Sequence, residues 1–268
     1  DMHRTGSSHS IAPRDLTSGP SWRWDAPEGL VPALGRLVWS TPVIDEEQNI
    51  IESSGGAGMF KFSRTGQQLW SNYFVFGPVS PVLADGAVYT VRADGTFFKL
   101  DAQTGEILWQ SQVANTTSFD SQAVLVTEGV VVGAFDAVPP VSGAATIVAA
   151  SIADGHEVWR LHLNGSYVYN FMGAAYNGSI IFQTAFGDVY RISAADGTVI
   201  WRQPGIVVTE GASPQAAQAF STAGAALDMD GNIYASFNRA WGQGMVKALS
   251  FGDGQVLWER HFPLEANA

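Results

Sequence analysis

The chain has no cysteine, few basic residues and no long apolar run, and each absence excludes a class of function. Without cysteine there is no disulfide, no thiolate metal ligand and no cysteine nucleophile. Lys and Arg number 14 against 25 Asp and Glu, and the formal net charge of -11 opposes binding to nucleic-acid phosphates or anionic lipid headgroups. No run approaches the ~20 apolar residues of a membrane-spanning helix. We therefore expect no nucleic-acid partner and no direct membrane insertion.

Motifs for catalysis and metal binding are also lacking. The histidines show no pairing at metal-ligand spacing. Residues 228–232 begin like a calcium loop, but Arg239 stands where an EF-hand needs Glu, and the Asp-Gly pair in this segment favours a plain hairpin. The acidic run Asp45-Glu46-Glu47 is typical of a solvated turn, since paired catalytic carboxylates need burial to separate their pKa values. We expect no catalytic residue, no metal and no cofactor.

What the sequence does contain is a short repeat, in which a glycine in a polar turn is followed four residues later by tryptophan. The repeat recurs every 40 to 50 residues or so, roughly the period of propellers and related arrays. Its even spread along the chain favours one all-β domain over two unrelated ones. The five copies end at Trp70, Trp109, Trp159, Trp201 and Trp258.

Each repeat contains three turn signals between short β-branched runs, the pattern of a four-stranded antiparallel meander. In the clearest copy, Asp85-Gly86, Ala93-Asp94-Gly95 and Thr104-Gly105 separate the strands. We predict a β-propeller of about five such sheets, or blades, because one twisted sheet cannot bury both of its apolar faces alone. The predicted blades span 41–70, 80–109, 122–159, 172–201 and 223–258.

The blade pattern, Ser-Pro-Val, then two Asp-Gly turns, then Asp-x-x-Thr-Gly-x-x-x-Trp, resembles the pyrroloquinoline-quinone-type repeat. This repeat occurs in quinoprotein dehydrogenases and in non-catalytic propellers such as the bacterial outer-membrane assembly lipoprotein. The resemblance covers about residues 21–262 and implies that the five motif tryptophans are structural, packing between blades. In many of the dehydrogenases a vicinal disulfide lies beside the quinone, with a calcium ion and a catalytic Asp. This chain has no cysteine, so the resemblance favours a non-catalytic member.

The N-terminal part departs from the repeat. Residues 1–20 are rich in Ser, Gly, Thr and Pro, and we predict an extended arm there, followed by a single propeller domain over 21–268. Trp22-Arg23-Trp24-Asp25 is similar to an outer strand without a blade, so it either closes the ring or belongs to a degenerate sixth blade. Because Asp1 is an unusual initiator, we expect a mature, processed protein. The segments 21–24 and 41–45 loosely resemble propellers of algal and protist proteins. That resemblance implies a setting outside the cytosol, in an organelle lumen such as the thylakoid lumen or in a compartment like the periplasm.

The predicted loops divide between two faces of the propeller. One face carries only tight turns, whereas the other carries the long second-to-third loops and the blade-to-blade connections, where binding residues usually lie. These long loops are aromatic and apolar, as protein interfaces are, and Arg239 beside Trp241 is the predicted anchor. The alternative is that several of the rings plug the central channel. The predicted partner-binding residues are Tyr73, Phe74, Phe76, Phe119, Pro139, Pro140, Tyr167, Tyr169, Phe171, Arg239 and Trp241.

Three classes of function fit these features. The leading hypothesis is a non-catalytic scaffold or accessory subunit that docks protein subunits of a larger, membrane-associated complex. The second is a quinone- or metal-dependent oxidoreductase that uses the mouth of the channel. The third is a carbohydrate- or peptide-binding module, which only the loop aromatics support.

Overall fold

The computed structural model confirms an all-β architecture made of five four-stranded antiparallel sheets. A membrane-crossing helix, which would have to be long and apolar, does not occur among the residues that the structure describes. The predicted N-terminal arm and the strand at Trp22 lie outside those residues. The structure describes residues 40–77, 79–115, 124–136, 144–164, 168, 171–205, 221, 224–240 and 243–263.

Within every blade the strands pair in chain order, so each blade is the predicted meander. Blade 1 contains β1 (Val43–Ile44), β2 (Ile50–Ser54), β3 (Gly58–Phe62) and β4 (Gln68–Asn72). Blade 2 contains β5 (Val82–Ala84), β6 (Ala87–Arg92), β7 (Thr96–Asp101) and β8 (Ile107–Gln112). Blade 3 contains β9 (Val124–Thr127), β10 (Val130–Asp136), β11 (Ala144–Ser151) and β12 (Glu157–Asn164).

The last two blades follow the same order. Blade 4 contains β13 (Ala174–Tyr176), β14 (Ser179–Gln183), β15 (Val189–Ser193) and β16 (Val199–Gln203). Blade 5 contains β17 (Ala226–Leu227), β18 (Ile233–Ala240), β19 (Gln243–Leu249) and β20 (Val256–Phe262). The first strand of each blade is its shortest and the fourth is the outer strand, which continues past the motif tryptophan.

The first-to-second turns explain why the strands reverse where they do. In blade 2, Asp85 and Gly86 have φ of 49° and 71°, so both central residues of the turn are left-handed. The Glu128-Gly129 and Asn177-Gly178 turns of blades 3 and 4 have the same signs of φ. Two positive φ values match the twist of the flanking strands, and Asn, Asp and Gly adopt them at low cost. The dipeptides therefore set the register of three hairpins.

A β-bulge precedes the motif tryptophan in all five blades. In blade 1, Trp70 pairs with Lys61 and Gln68 pairs with Phe62, so Leu69 is the extra residue. A bulge rotates the strand locally and re-aims the side chain that follows it. The bulged residues are aliphatic, and between 42% and 54% of the surface of each one is exposed. They are Leu69, Leu108, Val158, Ile200 and Leu257.

The tryptophan after each bulge fastens its blade to the next one, a contact that we call the tryptophan latch. The Trp70 indole Nε1 donates to the Ala102 carbonyl of blade 2 at 3.1 Å. Its ring lies over Gly105, where an added Cβ would come within 2.6 Å of the ring. Three further latches have the same form: Trp109 to Ile152 and Gly155, Trp159 to Ala194 and Gly197, and Trp201 to Phe251 and Gly254.

A cation reinforces three of the four latches by donating to the same carbonyl. Lys61 Nζ lies 2.8 Å from the Ala102 carbonyl oxygen, and Lys99 Nζ lies 2.9 Å from that of Ile152. Arg191 does the same for Phe251 at 2.9 Å. Ala149 occupies the equivalent place in blade 3. The indole of Trp159 is therefore the donor to the Ala194 carbonyl, and the described residues add no cation there. A carbonyl has two lone pairs, which allows it to accept from both donors.

The hydrophobic core lies between the blades. Separate clusters of buried side chains fill the four junctions, and each combines the forward-facing residues of one blade with the backward-facing residues of the next. Here the forward face of a blade is the one that carries its motif tryptophan. Stacking therefore buries the faces that no blade could bury alone, as in other repeat architectures.

Candidate functional site

Among the predicted partner-binding residues, the structure describes the side chains of Tyr73, Phe74, Phe76 and Phe171. Tyr73, Phe74 and Phe76 lie on the connection between blades 1 and 2, and they are 48%, 51% and 40% exposed. Arg239 lies in β18, where the structure describes its backbone but not its side chain. The residues outside the described part of the chain are Phe119, Pro139, Pro140, Tyr167, Tyr169 and Trp241.

Phe171 does not belong to an exposed surface. Its side chain is only 1% exposed and packs against Phe182 with ring centroids 6.0 Å apart. It is part of the cluster between blades 3 and 4, together with Leu125 and Trp159. This placement corrects the expectation that the Phe171 ring is available to a partner.

Arg92 contacts two of the three exposed rings, and we call Tyr73, Phe74, Phe76 and Arg92 the aromatic patch. The Arg92 guanidinium carbon lies 4.9 Å from the centroid of Phe74 and 6.0 Å from that of Phe76. It also lies 5.2 Å from the centroid of the buried Phe98 ring, so the guanidinium packs against the core as well. A guanidinium over aromatic faces is attracted by their quadrupoles, so the contacts stabilise one arrangement of the patch.

The loop beneath the aromatic patch is held by Asn72. Its side-chain oxygen accepts from the backbone N–H groups of Phe74 and Val75 at 3.0 Å and 3.2 Å. Its amide nitrogen donates to the Gly105 carbonyl of blade 2 at 2.9 Å. At the far end, the Gly77 N–H donates to Ser54 at 3.2 Å. These bonds fix the backbone before any partner binds, which lowers the entropic cost of docking.

Asp94 neutralises the arginine of the patch. Its Oδ2 accepts from Arg92 Nη2 at 2.7 Å and from Nε at 3.1 Å. Burial raises the pKa of Asp94, but the hydrogen bonds from Arg92 and Thr96 outweigh it and lower the pKa below its usual value. The carboxylate is therefore ionised at neutral pH, and the patch presents apolar rings with a paired charge rather than a free cation.

Sequence reasoning found the rings but not Arg92. The arginine is at the end of β6, beside a turn that the sequence did predict, so its place on the long-loop face could have been deduced. Its contact with Phe74 could not, because the two residues are 18 positions apart and meet only through the path of the blade connection.

Outside the aromatic patch, the Asp228 carboxylate holds a turn and the Asp45 carboxylate forms an ion pair. Asp228 Oδ1 accepts from the Asn232 backbone at 2.8 Å, and Oδ2 accepts from the Tyr234 hydroxyl at 2.8 Å. The segment joins β17 to β18, which confirms the predicted hairpin. Asp45 forms a 2.8 Å ion pair with the buried Lys61. Among the described residues, no three His, Asp or Glu side chains are placed to hold a metal ion.

Glu52 is the one carboxyl group in the described residues whose pKa is strongly raised. Burial raises its pKa to about 7, and hydrogen bonds from the Ser40 hydroxyl and the Ser53 backbone offset only part of that effect. Glu52 lies on β2 opposite Phe60. It faces away from the latch side of blade 1 and shares the backward face with Phe60, whose ring centroid lies 5.8 Å from that of Tyr73.

These features define a class: a β-propeller of tryptophan-latched blades that carries an aromatic patch on its long-loop face. The chain belongs to the family described as outer membrane protein assembly factor BamB, whose model matches residues 26–111 and 108–267. The resemblance to quinoprotein-type repeats is thereby confirmed.

Comparison with individual proteins agrees with this family. The chain is 26% identical over 221 residues to the outer membrane protein assembly factor BamB of Burkholderia pseudomallei (strain K96243). That alignment covers 81% of this chain and 46% of the relative, so the chain spans less than half the length of the curated relative.

Solved structures share the fold at low sequence identity. BamB from Moraxella catarrhalis superposes with a TM-score of 0.57 at 16% identity, covering 86% of this chain and 78% of that chain. The quinohemoprotein alcohol dehydrogenase from Comamonas testosteroni gives a TM-score of 0.61 at 16% identity, covering 85% and 43%. At this identity the likeness shows the fold alone, because one fold supports many functions.

Proposed function

We propose that this protein is a non-catalytic scaffold or accessory subunit that docks a protein partner within a larger assembly. The observation that carries the proposal is the aromatic patch. It combines three exposed rings with a stacked, paired arginine on a backbone that Asn72 holds in place. Aromatic residues and arginine are the residue types enriched at the centres of protein interfaces, and rigid rings lose little entropy on binding.

The family supports a role in a membrane-associated complex. The Burkholderia relative is named as an outer membrane protein assembly factor. By analogy, we place the protein outside the cytosol, on the periplasmic side of a membrane, with protein subunits of a membrane complex as its partners. A lumenal setting such as the thylakoid lumen remains a prediction from the sequence.

A quinone-dependent activity is less well supported than docking. Two structures with the same fold are quinohemoprotein alcohol dehydrogenases, but at 16% identity the likeness shows the fold alone. The chain has no cysteine for the vicinal disulfide, and no three described His, Asp or Glu side chains are placed to hold a metal ion. The described residues therefore do not fit a calcium-assisted quinone site, and we derive no catalytic step. We therefore propose that the chain binds neither a cofactor nor a sugar.

The experiment is a native extraction with paired surface variants. The chain is expressed in its source as the Phe74→Ser/Phe76→Ser variant or as the control Leu108→Ser/Ile200→Ser variant. The control removes comparably exposed apolar side chains from the outer strands. We expect the control to co-migrate with the assembly like the unaltered chain, and the patch variant to migrate as a free chain of 28.6 kDa.

Two results would count against the proposal. One is an unaltered native mass for the patch variant, in which case an Arg239→Ala/Trp241→Ala variant tests whether docking uses the other predicted anchor. The second is recovery of the unaltered chain only as a free monomer, together with thermal stabilisation by quinone and calcium. Stabilisation of that kind follows from ligand binding to the folded state alone and would favour the enzyme.

A further inference from the structure

The side chain of Gln183 is a polar group buried in the junction between blades 4 and 5. Gln183 is the last residue of β14 and is only 3% exposed. Side chains alternate between the two faces of a strand, so Gln183 lies on the same forward face as Ile181, which belongs to the apolar cluster of this junction. An amide that is taken out of water in such surroundings needs hydrogen-bond partners for both its nitrogen and its oxygen.

The amide nitrogen of Gln183 has a partner in blade 5. Its Nε2 donates to the Ser236 carbonyl at 2.8 Å, and the Ser221 hydroxyl donates to the same oxygen at 3.0 Å. Because β17 pairs only with Ile233 and Tyr234 of β18, these two side chains act at Ser236 where the first strand of the blade does not reach. The opposite orientation of the amide would bring two acceptor oxygens to 2.8 Å from each other. The position of the Gln183 oxygen is therefore defined.

The amide oxygen of Gln183 is a buried acceptor that has no donor in the described part of the chain. The other buried side-chain nitrogens and oxygens of that part all have hydrogen-bond partners. Buried polar atoms in native proteins almost always have a partner, and an ordered water supplies it where the protein does not. The exception at Gln183 Oε1 thus points to a bound group that can donate.

The surroundings of this oxygen define the kind of ligand. The atom is closed off from solvent, so the ligand has to be small as well as a donor. The Ser221 oxygen, which contacts the same Ser236 carbonyl, keeps lone pairs for a second hydrogen bond. The Ser221 backbone N–H donates to the Ala185 carbonyl at 2.9 Å, which fixes Ser221 beside blade 4. A water molecule meets these conditions, since it can donate one hydrogen to Gln183 Oε1 and the other to Ser221 Oγ.

We propose that Gln183 Oε1 binds a single buried water molecule, which also donates to Ser221 Oγ. Because Gln183 and Ser221 share the Ser236 carbonyl, the water joins blade 4, blade 5 and the connection between them. Trp201 latches the tight-turn end of this junction at Phe251, and the water links its other end. The site is separate from the aromatic patch, so the proposal does not depend on the docking function.

The test is a measurement of nuclear Overhauser effects (NOEs) between water and the folded, isotope-labelled chain. A water that tumbles with the protein gives the Gln183 side-chain amide protons an NOE with the sign found in the protein interior, whereas fast-exchanging surface water gives the opposite sign. A rotating-frame spectrum separates the NOE from proton exchange, because the two differ in sign there. The exposed amide of Gln68 is the matched control. We expect the interior sign at Gln183 and the surface sign at Gln68.

High-resolution crystal structures of the unaltered chain and of Gln183→Met locate the donor. We expect a fully occupied water within hydrogen-bond distance of Gln183 Oε1 and Ser221 Oγ in the unaltered chain, and loss of that water from the variant. A protein group or another ligand at Oε1 would overturn the proposal, as would an oxygen without a donor or a water that persists in Gln183→Met. A surface-type NOE at Gln183 would also overturn it, and that measurement needs no variant to fold.

Discussion

At the scale of single residues, the glycine beneath each latch tryptophan is the most constrained position of the repeat. Gly155 has φ of +78°, and an added Cβ would lie 2.7 Å from the Trp109 ring. Gly178, at a hairpin tip, has φ of +69°, and an added Cβ would have nothing within 4 Å. The two glycines share the cost of a left-handed backbone but differ in what surrounds them.

This pair of glycines gives a matched prediction. Both Gly155→Ala and Gly178→Ala should lose about 1 to 2 kcal/mol of unfolding free energy, because an L-residue is strained in the left-handed region. Gly155→Ala should lose about 1 to 3 kcal/mol more, since the indole has to shift from a packed site. Urea unfolding of both variants measures the difference. Equal losses would show that the ring moves aside without cost and that the contact is not a latch.

Single residues were predictable where their role depends on local sequence. The spacing of Gly and Trp identified the repeat, and the family resemblance implied that its tryptophans pack between blades. The role of Arg92 was not predictable, because its stacking on Phe74 depends on how the blade connection returns across β6. Phe171 shows the opposite error: its position beside a loop indicated exposure, but the junction between blades 3 and 4 buries it.

At the scale of elements, the carbonyl groups of the four latches differ in how many hydrogen-bond donors they have. The Ala102 carbonyl accepts from both Trp70 and Lys61. The Ala194 carbonyl accepts from Trp159 at 2.9 Å, and Ala149 stands where blades 1, 2 and 4 have a cation. The first junction therefore has a second donor that the third junction lacks.

Replacing each indole by a phenyl ring tests this difference. Trp70→Phe should cost less than Trp159→Phe, because Lys61 continues to satisfy the Ala102 carbonyl while the Ala194 carbonyl is left without a donor. An unsatisfied buried acceptor costs about 1 to 3 kcal/mol, so we expect a difference of roughly 1 kcal/mol or more in unfolding free energy. The two tryptophans are equally buried, so both substitutions should lose a similar amount of packing. Equal losses would mean that the cation adds nothing.

The elements themselves were largely predictable from turns and β-branched runs. The dipeptides at Asp85, Glu128 and Asn177 placed the first hairpins, because their positive φ is a local property. The bulge before each tryptophan was not predicted, although Leu69 and its counterparts recur in the sequence. A bulge is defined by cross-strand pairing, which the pattern of apolar residues does not show.

At the scale of the whole molecule, the blades form a row in which stability comes from each junction. In such arrays a terminal unit with one covered face is less stable than an internal unit with two. Blade 2 is latched on both sides, by Trp70 and Trp109, whereas the described residues latch blade 5 only through Trp201. The forward face of blade 5 is open among those residues, since Trp258 is 40% exposed against 7% for Trp70. This open face should be visible in the dynamics of the free chain.

Native-state hydrogen exchange measures this difference directly. Amides that pair β18 with β19 in blade 5 should exchange at least about tenfold faster than those that pair β6 with β7, a ratio that corresponds to ~1.4 kcal/mol. The amides that pair β14 with β15 serve as the control, because blade 4 is latched on both sides and should resemble blade 2. In the native assembly, a partner on the aromatic patch should slow exchange around Phe74. Uniform exchange through all five blades of the free chain would instead show a single cooperative unit, and the open face would then carry no energetic cost.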